Sequence, residues 1–132
     1  MAKAFISKGY KIVSDGTDNH LMLIDLRNKG IPGRKLAKAL DRARIVTNYN
    51  TVPGDTAPPL NPSGLRLGTP AITTRGMREP EAQQIATFIH RVAENIDKES
   101  AIEEVGKEVL LLCSQFPVPE HFIIPNRDGN RQ

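Results

Sequence analysis

The sequence predicts an α+β domain in which a small, mainly antiparallel sheet of three or four strands carries helices packed on one face. Two stretches supply the helical half of that expectation. Ile85, Phe88, Ile89, Val92 and Ile96 recur at a 3.6-residue period, and Ile102, Val105, Val109, Leu112 and Phe116 do the same, so each has one apolar face to bury. Short strand-like runs, Tyr10 to Val13, His20 to Leu26 and the residues around Leu65-Arg66-Leu67, supply the sheet that they cover. Size is the third observation: 132 residues make one domain, with room for a core but with limited stability by itself.

In chain order, Met1 to Lys8 places Ala2, Ala4, Phe5 and Ile6 between lysines and then meets Gly9, the usual left-handed stop after a helix. It reads as the tail of a longer helix, such as a truncated chain or a split gene would leave. Tyr10 to Val13 reads as a strand, and Ser14 to Asn19, dense in Asp, Gly, Thr and Asn, as a turn. His20 to Leu26 follows as a second strand. Its Leu21, Met22, Leu23 and Ile24 are apolar on both faces, which predicts a central position in the sheet. Pro32 and Gly33 open a helix, with proline in the first turn where its missing N–H does no harm. Leu36, Ala37, Leu40 and Ala43 form its apolar face, while Arg34, Lys35, Lys38, Asp41 and Arg42 lie mostly opposite. Ile45 to Thr47 is expected to be a short strand.

Asn48 to Pro62 has prolines at 53, 58, 59 and 62 and little that could form a regular element. Proline restricts the unfolded chain, so such a loop holds its shape without much packing. It serves either as a wall for a ligand pocket or as a rigid surface connector, and the residues alone leave both open. Beyond the Leu65-Arg66-Leu67 strand, Pro80 begins a helix whose Glu79 and Glu81 suit the positive end of its dipole. Ser100 followed by Glu103 predicts a capping box for the last helix, which Pro117 and Pro119 end. Residues 125–132 are polar with no apolar anchor, so they are expected to form a disordered tail on a domain spanning 1–124.

The residues that most suggest chemistry surround Arg66. Successive side chains of a strand point to opposite faces, so Arg66 stands on the face opposite Leu65 and Leu67. Gly64 and Gly68 flank it, and without a Cβ they let another backbone or a ligand come close. A guanidinium presents a planar fork that matches two carboxylate oxygens, which lysine cannot reproduce. The competing reading is a solvated strand arginine. His20 could be a base or a metal ligand. With no carboxylate or second histidine at ligand spacing, and with His90 and His121 isolated, a structural hydrogen-bonding role is favoured and no metal site is expected.

Composition narrows the partners. A net charge of +3 is mild and fits an anionic ligand as well as a nucleic acid, and the basic residues form no block. Aromatics are 5% with no tryptophan, which leaves few platforms for stacking bases and makes nucleic acid a poor candidate. The single cysteine, Cys113, excludes an internal disulfide and sits among leucines, as an inert thiol in a reducing cytoplasm would. Val109 to Cys113 is far too short an apolar run to span a bilayer, and Met1 to Lys8 lacks a signal-peptide core.

Three ordered blocks resemble one family. Gly9-Tyr10-Lys11-Ile12-Val13-Ser14, Gly16-Thr17-Asp18-Asn19-His20-Leu21 and Asp25-Leu26-Arg27 form the first. Ala39-Leu40-Asp41-Arg42-Ala43, then Asn48 and Asn50-Thr51-Val52-Pro53, form the second. Ser63-Gly64-Leu65-Arg66-Leu67-Gly68-Thr69-Pro70-Ala71, then Thr73-Thr74-Arg75-Gly76-Met77, form the third. Together they resemble the small C-terminal domain of serine hydroxymethyltransferase, a pyridoxal-phosphate enzyme, over roughly residues 1 to 116.

The resemblance implies a function in transferring a one-carbon unit from serine to tetrahydrofolate, with glycine formed. Arg66 matches the residue that binds the amino acid's carboxylate. Asn50 matches the asparagine that contacts the folate pterin ring, and Pro58, Pro59 and Leu60 occupy a later segment of the folate site. No catalytic residue is expected in this chain. The Schiff-base lysine, phosphate-binding loop and catalytic glutamate of the family belong to the large N-terminal domain, which is the expected partner, within a homo-oligomer when complete. The chain alone is therefore expected to be inactive. A carboxylate- or folate-binding module without catalysis, and an assembly domain, are the alternatives.

Departures from the family are specific. Asp15 and Arg44 stand where glycine is usual, and Pro58 and Leu60 replace the serine and phenylalanine of a common Ser-Pro-Phe. A proline at 58 removes any contact that needed an N–H donor there. Arg75 belongs to the motif but has no ligand assigned and is expected to be structural.

Overall fold

The computed structural model describes residues 1–13, 21–68 and 70–119, except the side chains of 70 and 71. The Ser14 to Asn19 turn with Asp15, His20, His121 and the tail from 125 lie outside the described residues. Four strands form one antiparallel sheet among the described residues: β1 (Lys11–Ile12), β2 (Leu21–Asp25), β3 (Asn48–Asn50) and β4 (Gly64–Gly68), in the order β1-β2-β4-β3. Helices α1 (Ala2–Ser7), α2 (Gly33–Arg42), α3 (Pro70–Thr74), α4 (Glu79–Glu94) and α5 (Glu99–Gln115) complete an α+β architecture, as the sequence predicts.

Side-chain alternation gives the sheet a packed face and an open one. Leu65 is wholly buried and Leu67 is 7% exposed, while Arg66 between them is exposed. Ile12, Ile24 and Leu65 stand opposite one another across β1, β2 and β4, and Met22 stands opposite Leu67. This apolar face meets the helical stripes: Leu36 and Leu40 of α2, Phe88, Ile89 and Val92 of α4, and Ile102 and Val105 of α5 are all buried in one core with it. No described helix is long and apolar enough to cross a membrane.

The structure alters several expectations at element boundaries. Ile45 to Thr47 is not a strand; β3 begins at Asn48, where pairing with Arg66 of β4 becomes available. The intervening residues reverse the chain after α2, with Arg44 at φ 66 and the Ile45 N–H donating to the Leu40 carbonyl at 2.8 Å. Asn-Tyr-Asn is a poor strand former by composition, and the ladder with β4 overrides that weakness. β2 is central as expected, but its faces differ: Met22 and Ile24 are buried in the core, while on the other face Leu21 is 54% exposed, Leu23 is half-buried and Asp25 is buried. Pro32 is the cap before α2 rather than its first turn. The box at Ser100 does not form: Lys98 caps α5, which puts Ser100 inside the first turn where its hydroxyl cannot cap. Gly9 takes a φ of 84 after α1, as its position predicts.

Candidate functional site

On the open face of the sheet, strand register sets which side chains are neighbours. Leu23, Arg66 and Asn48 stand opposite one another on β2, β4 and β3, and Asp25, Gly64 and Asn50 form the next row. Arg66 and Asn50 therefore point to the same side from adjacent strands, one diagonal step apart, or about 7–8 Å between α-carbons in such a ladder. Arg66 is exposed, and among the described residues no hydrogen bond or ion pair engages its guanidinium. Some other arginines are occupied: Arg42 pairs with Glu99, and Arg91 pairs with Glu108 at 2.8 Å.

The glycines beside Arg66 differ in use. A Cβ on Gly64 would lie 2.5 Å from the Asn50 carbonyl oxygen and 2.7 Å from a Val52 methyl, so the missing side chain admits the neighbouring backbone. Gly33 at the start of α2 is equally constrained, because a Cβ there would strike the Gly64 carbonyl, and its N–H donates to the Pro62 carbonyl at 2.9 Å. Gly68 is exposed beyond the arginine.

β3 and β4 are joined by the loop 51–63, and its shape has identifiable causes. Val52-Pro53-Gly54-Asp55 is a tight turn, with Gly54 at φ 73 and the Asp55 N–H donating to the Val52 carbonyl at 3.0 Å. The Asp55 carboxylate then accepts the Ala57 N–H and the Ser63 N–H, both at 2.9 Å, and the Ser63 hydroxyl at 2.8 Å. These donors, the Ser63 and Ala57 N–H groups foremost, hold its pKa down at about 2. The tip carries its own turn, in which the Asn61 N–H donates to the Pro58 carbonyl at 2.9 Å. Pro58, Pro59 and Leu60 are exposed on it, Leu60 by 78%.

A second tie reaches the loop from β2. Asp25, 3% exposed, accepts from its neighbour Arg27 through the backbone N–H and Nε at 3.0 Å each and a terminal guanidinium nitrogen at 2.7 Å. The Arg27 side chain bonded to it keeps the Asp25 carboxyl below its ordinary range. The same guanidinium donates to the Gly54 carbonyl at 3.1 Å and the Pro53 carbonyl at 3.2 Å.

The structure thus brings Arg66 and Asn50 to one face and sets Pro58 to Leu60 on a tied loop that leaves the end of β3. Asp25, Arg27 and Ser63 belong to the family blocks without a role assigned to them, and nothing in the sequence reading marked Asp55. Proline-glycine at 53–54 and an aspartate just after it were the available signals. Arg75 is structural, as expected: it donates to the Phe116 carbonyl at 2.6 Å and the Cys113 carbonyl at 3.1 Å, satisfying the C-terminal end of α5. Separately, a cavity of about 360 Å³ between β4, α4 and α5 is lined by Leu67, Phe88, Leu112 and Cys113, and neither Arg66 nor Asn50 lines it.

A family model described as serine hydroxymethyltransferase matches residues 1–89. Curated relatives are similar over most of the chain. The serine hydroxymethyltransferase of Sorangium cellulosum (strain So ce56) is 48% identical over 119 residues, which is 90% of this chain and 28% of the relative. That of Pseudoalteromonas atlantica is 53% identical over 121 residues, or 89% of this chain and 29% of the relative. That of Legionella pneumophila (strain Corby) is 51% identical over 118 residues, again 89% of this chain and 28% of the relative. The chain spans 28–29% of the length of these relatives, in their C-terminal part.

Proposed function

The chain belongs to the serine hydroxymethyltransferase family, and from that premise we propose that it contributes the amino-acid carboxylate site and part of the folate site to transfer of a one-carbon unit between serine and tetrahydrofolate. The observation that carries the reading is Arg66, a guanidinium on the open sheet face, within the third sequence block, that no hydrogen bond or ion pair engages among the described residues. Its fork would hold the carboxylate of serine or glycine through two parallel N–H···O bonds. Such anchoring fixes the orientation of the remaining bonds of the amino acid, and orientation is worth several kcal/mol of a barrier. Asn50, on the same face, and Pro58, Pro59 and Leu60, on the loop tip, would contact the folate. Exposed proline and leucine offer it apolar surface and carbonyl acceptors.

Pyridoxal phosphate would supply the electron sink that stabilises the carbanion at the amino acid's α-carbon. Among the described residues no lysine has the surroundings that a Schiff base with that cofactor would need. Every lysine, at 3, 8, 11, 29, 35, 38, 98 and 107, is exposed or half-buried, whereas a Schiff-base lysine is activated by desolvation or a cationic neighbour. The ammonium of Lys29 is committed to the Lys8 carbonyl at 2.8 Å, and that of Lys35 to Asp97 at 2.8 Å. On this reading the cofactor and the proton transfers would belong to a large N-terminal domain, with which this chain would act in a homo-oligomer. Lone Cys113 agrees with a reducing cytoplasm.

The test is tetrahydrofolate-dependent serine cleavage with added pyridoxal phosphate, by the chain alone and mixed with a separately prepared large domain. Activity is expected only in the mixture. Arg66→Ala should lower kcat/KM for serine by about a hundredfold or more, as loss of a charged bidentate contact does, and Arg66→Lys should restore only part of it. Turnover by the chain alone would overturn the division of labour. Inactivity of the mixture, with the large domain folded and this chain docked on it, would favour a binding module without catalysis.

A further inference from the structure

The loop that bears Pro58 to Leu60 is held at two places, and neither is part of the carboxylate or folate contacts proposed above. From outside, the Arg27 guanidinium bridges the buried Asp25 carboxylate and the carbonyls of Pro53 and Gly54. From inside, the Asp55 carboxylate gathers donors from Ala57 and Ser63, which stand on opposite sides of the tip. Ser63 immediately precedes β4, its carbonyl accepts the Leu26 N–H at 2.9 Å, and Arg66 lies three residues further on. The segment 25–27 thus touches both ends of the loop: Arg27 at its first turn and Leu26 at its last residue. Carboxylate and guanidinium hydrogen bonds of this kind are stronger than neutral ones, and Arg27 cannot be replaced by a point charge without losing one of its two sets of partners.

We propose that Arg27, oriented by Asp25, and Asp55 are positioning residues that fix the 51–63 loop against β2 and β4, so that Asn50 and the Pro58 to Leu60 tip stand at a set distance from Arg66. The proposal rests on the functional reading given above and adds to it a division: Arg66 binds the amino acid, whereas Arg27 and Asp55 tune only the folate side. Loosening the loop leaves the Arg66 strand in its ladder, because β4 is paired on both edges by β2 and β3 independently of the loop ties.

The experiment uses a chimaera in which this chain replaces the matching C-terminal segment of one of the longer relatives, together with the chain by itself. In the chimaera, Arg27→Gln and Asp55→Asn should each raise KM for tetrahydrofolate about tenfold, as loss of charged hydrogen bonds implies, with KM for serine within about twofold of the parent. Arg27→Lys should recover part of the loss. In the chain alone, Arg27→Gln should speed hydrogen exchange of the Ala57 and Ser63 amides about tenfold and leave the Ile24 amide in β2 protected. A lower melting temperature with both KM values unchanged, or equal rises in both, would overturn the proposal. Unchanged exchange at Ala57 and Ser63 would overturn it even if the parent chimaera were inactive, and that inactivity would count against the functional reading instead.

Discussion

Arg44 adopts a φ of 66, the left-handed conformation that the sequence reading marked as a position better suited to glycine. The chain accepts the strain because the Ile45 N–H must turn back to the Leu40 carbonyl to deliver β3 to the sheet. Arg44→Gly should therefore stabilise the fold by about 1 kcal/mol, raising the melting temperature by roughly 3–6 °C. An unchanged or lower value would mean that the arginine side chain contributes more than its backbone costs. Arg66 presents the opposite case. Its backbone is ordinary strand, and its interest lies in a side chain that no described residue engages. Alternation between two leucines was enough to read its direction, but whether a carboxylate elsewhere in the chain would claim it was not encoded locally.

At the scale of elements, α1 and β1 are joined to α4 by a small aromatic and polar cluster. Tyr10 meets Phe5 edge to face, its hydroxyl and His90 Nδ1 share a hydrogen bond at 3.0 Å, and the Lys29 ammonium lies 4.6 Å from the centre of its ring. Burial, and then the nearby Glu94 carboxylate, push the Tyr10 hydroxyl up to about 12. Burial also lowers the His90 pKa from its ordinary 6.5; Glu94 opposes the shift, and Lys29 and Lys8 add to it. A base with a folded-state pKa below its unfolded one contributes stability that is complete above the unfolded value and is lost as pH falls through the folded one. Melting temperature should therefore fall between pH 7.5 and pH 5 by more in the parent chain than in His90→Gln. Equal slopes would show that the imidazole contributes nothing to the acid sensitivity. The periodic stripes of α4 and α5 were legible in the sequence: Phe88, Ile89, Val92, Ile102, Val105, Val109 and Leu112 are buried, and Ile85, Ile96 and Phe116 at their margins are half-buried. The start of α5 differs from the one that spacing predicts, since Ser100 and Glu103 have capping-box spacing inside a helix that begins at Glu99.

At the scale of the whole molecule, one core joins the packed face of the sheet to α1, α2, α4 and α5. Leu65 belongs to that core, wholly buried on a strand paired on both edges. Leu65→Ala should cost about 2–5 kcal/mol, a large share of the ~5–15 kcal/mol that a domain possesses. A urea melt would register this as a single transition moved to lower denaturant with an unchanged slope. A second transition would show that sheet and helices unfold separately. The opposite face of the same sheet carries Arg66, Asn48 and Asn50, so one strand serves stability on one side and the candidate site on the other.

The sequence by itself determined the α+β class, the helical stripes, the central place of β2, the left-handed turn at Gly9 and the outward direction of Arg66. These depend on period, on side-chain branching and on the steric limits of single residues, all of which are local. Tertiary structure alone decided that β3 begins at Asn48, that Arg27 and Arg75 are committed while Arg66 has no partner among the described residues, and that Asp55 closes the loop. Arg27 finds its loop carbonyls 26 and 27 residues away, and Arg75 finds its own 38 and 41 residues away. Every residue offers the same backbone carbonyl, so nothing in the side chains marks which one a distant guanidinium will take, and only the folded path of the chain makes that choice.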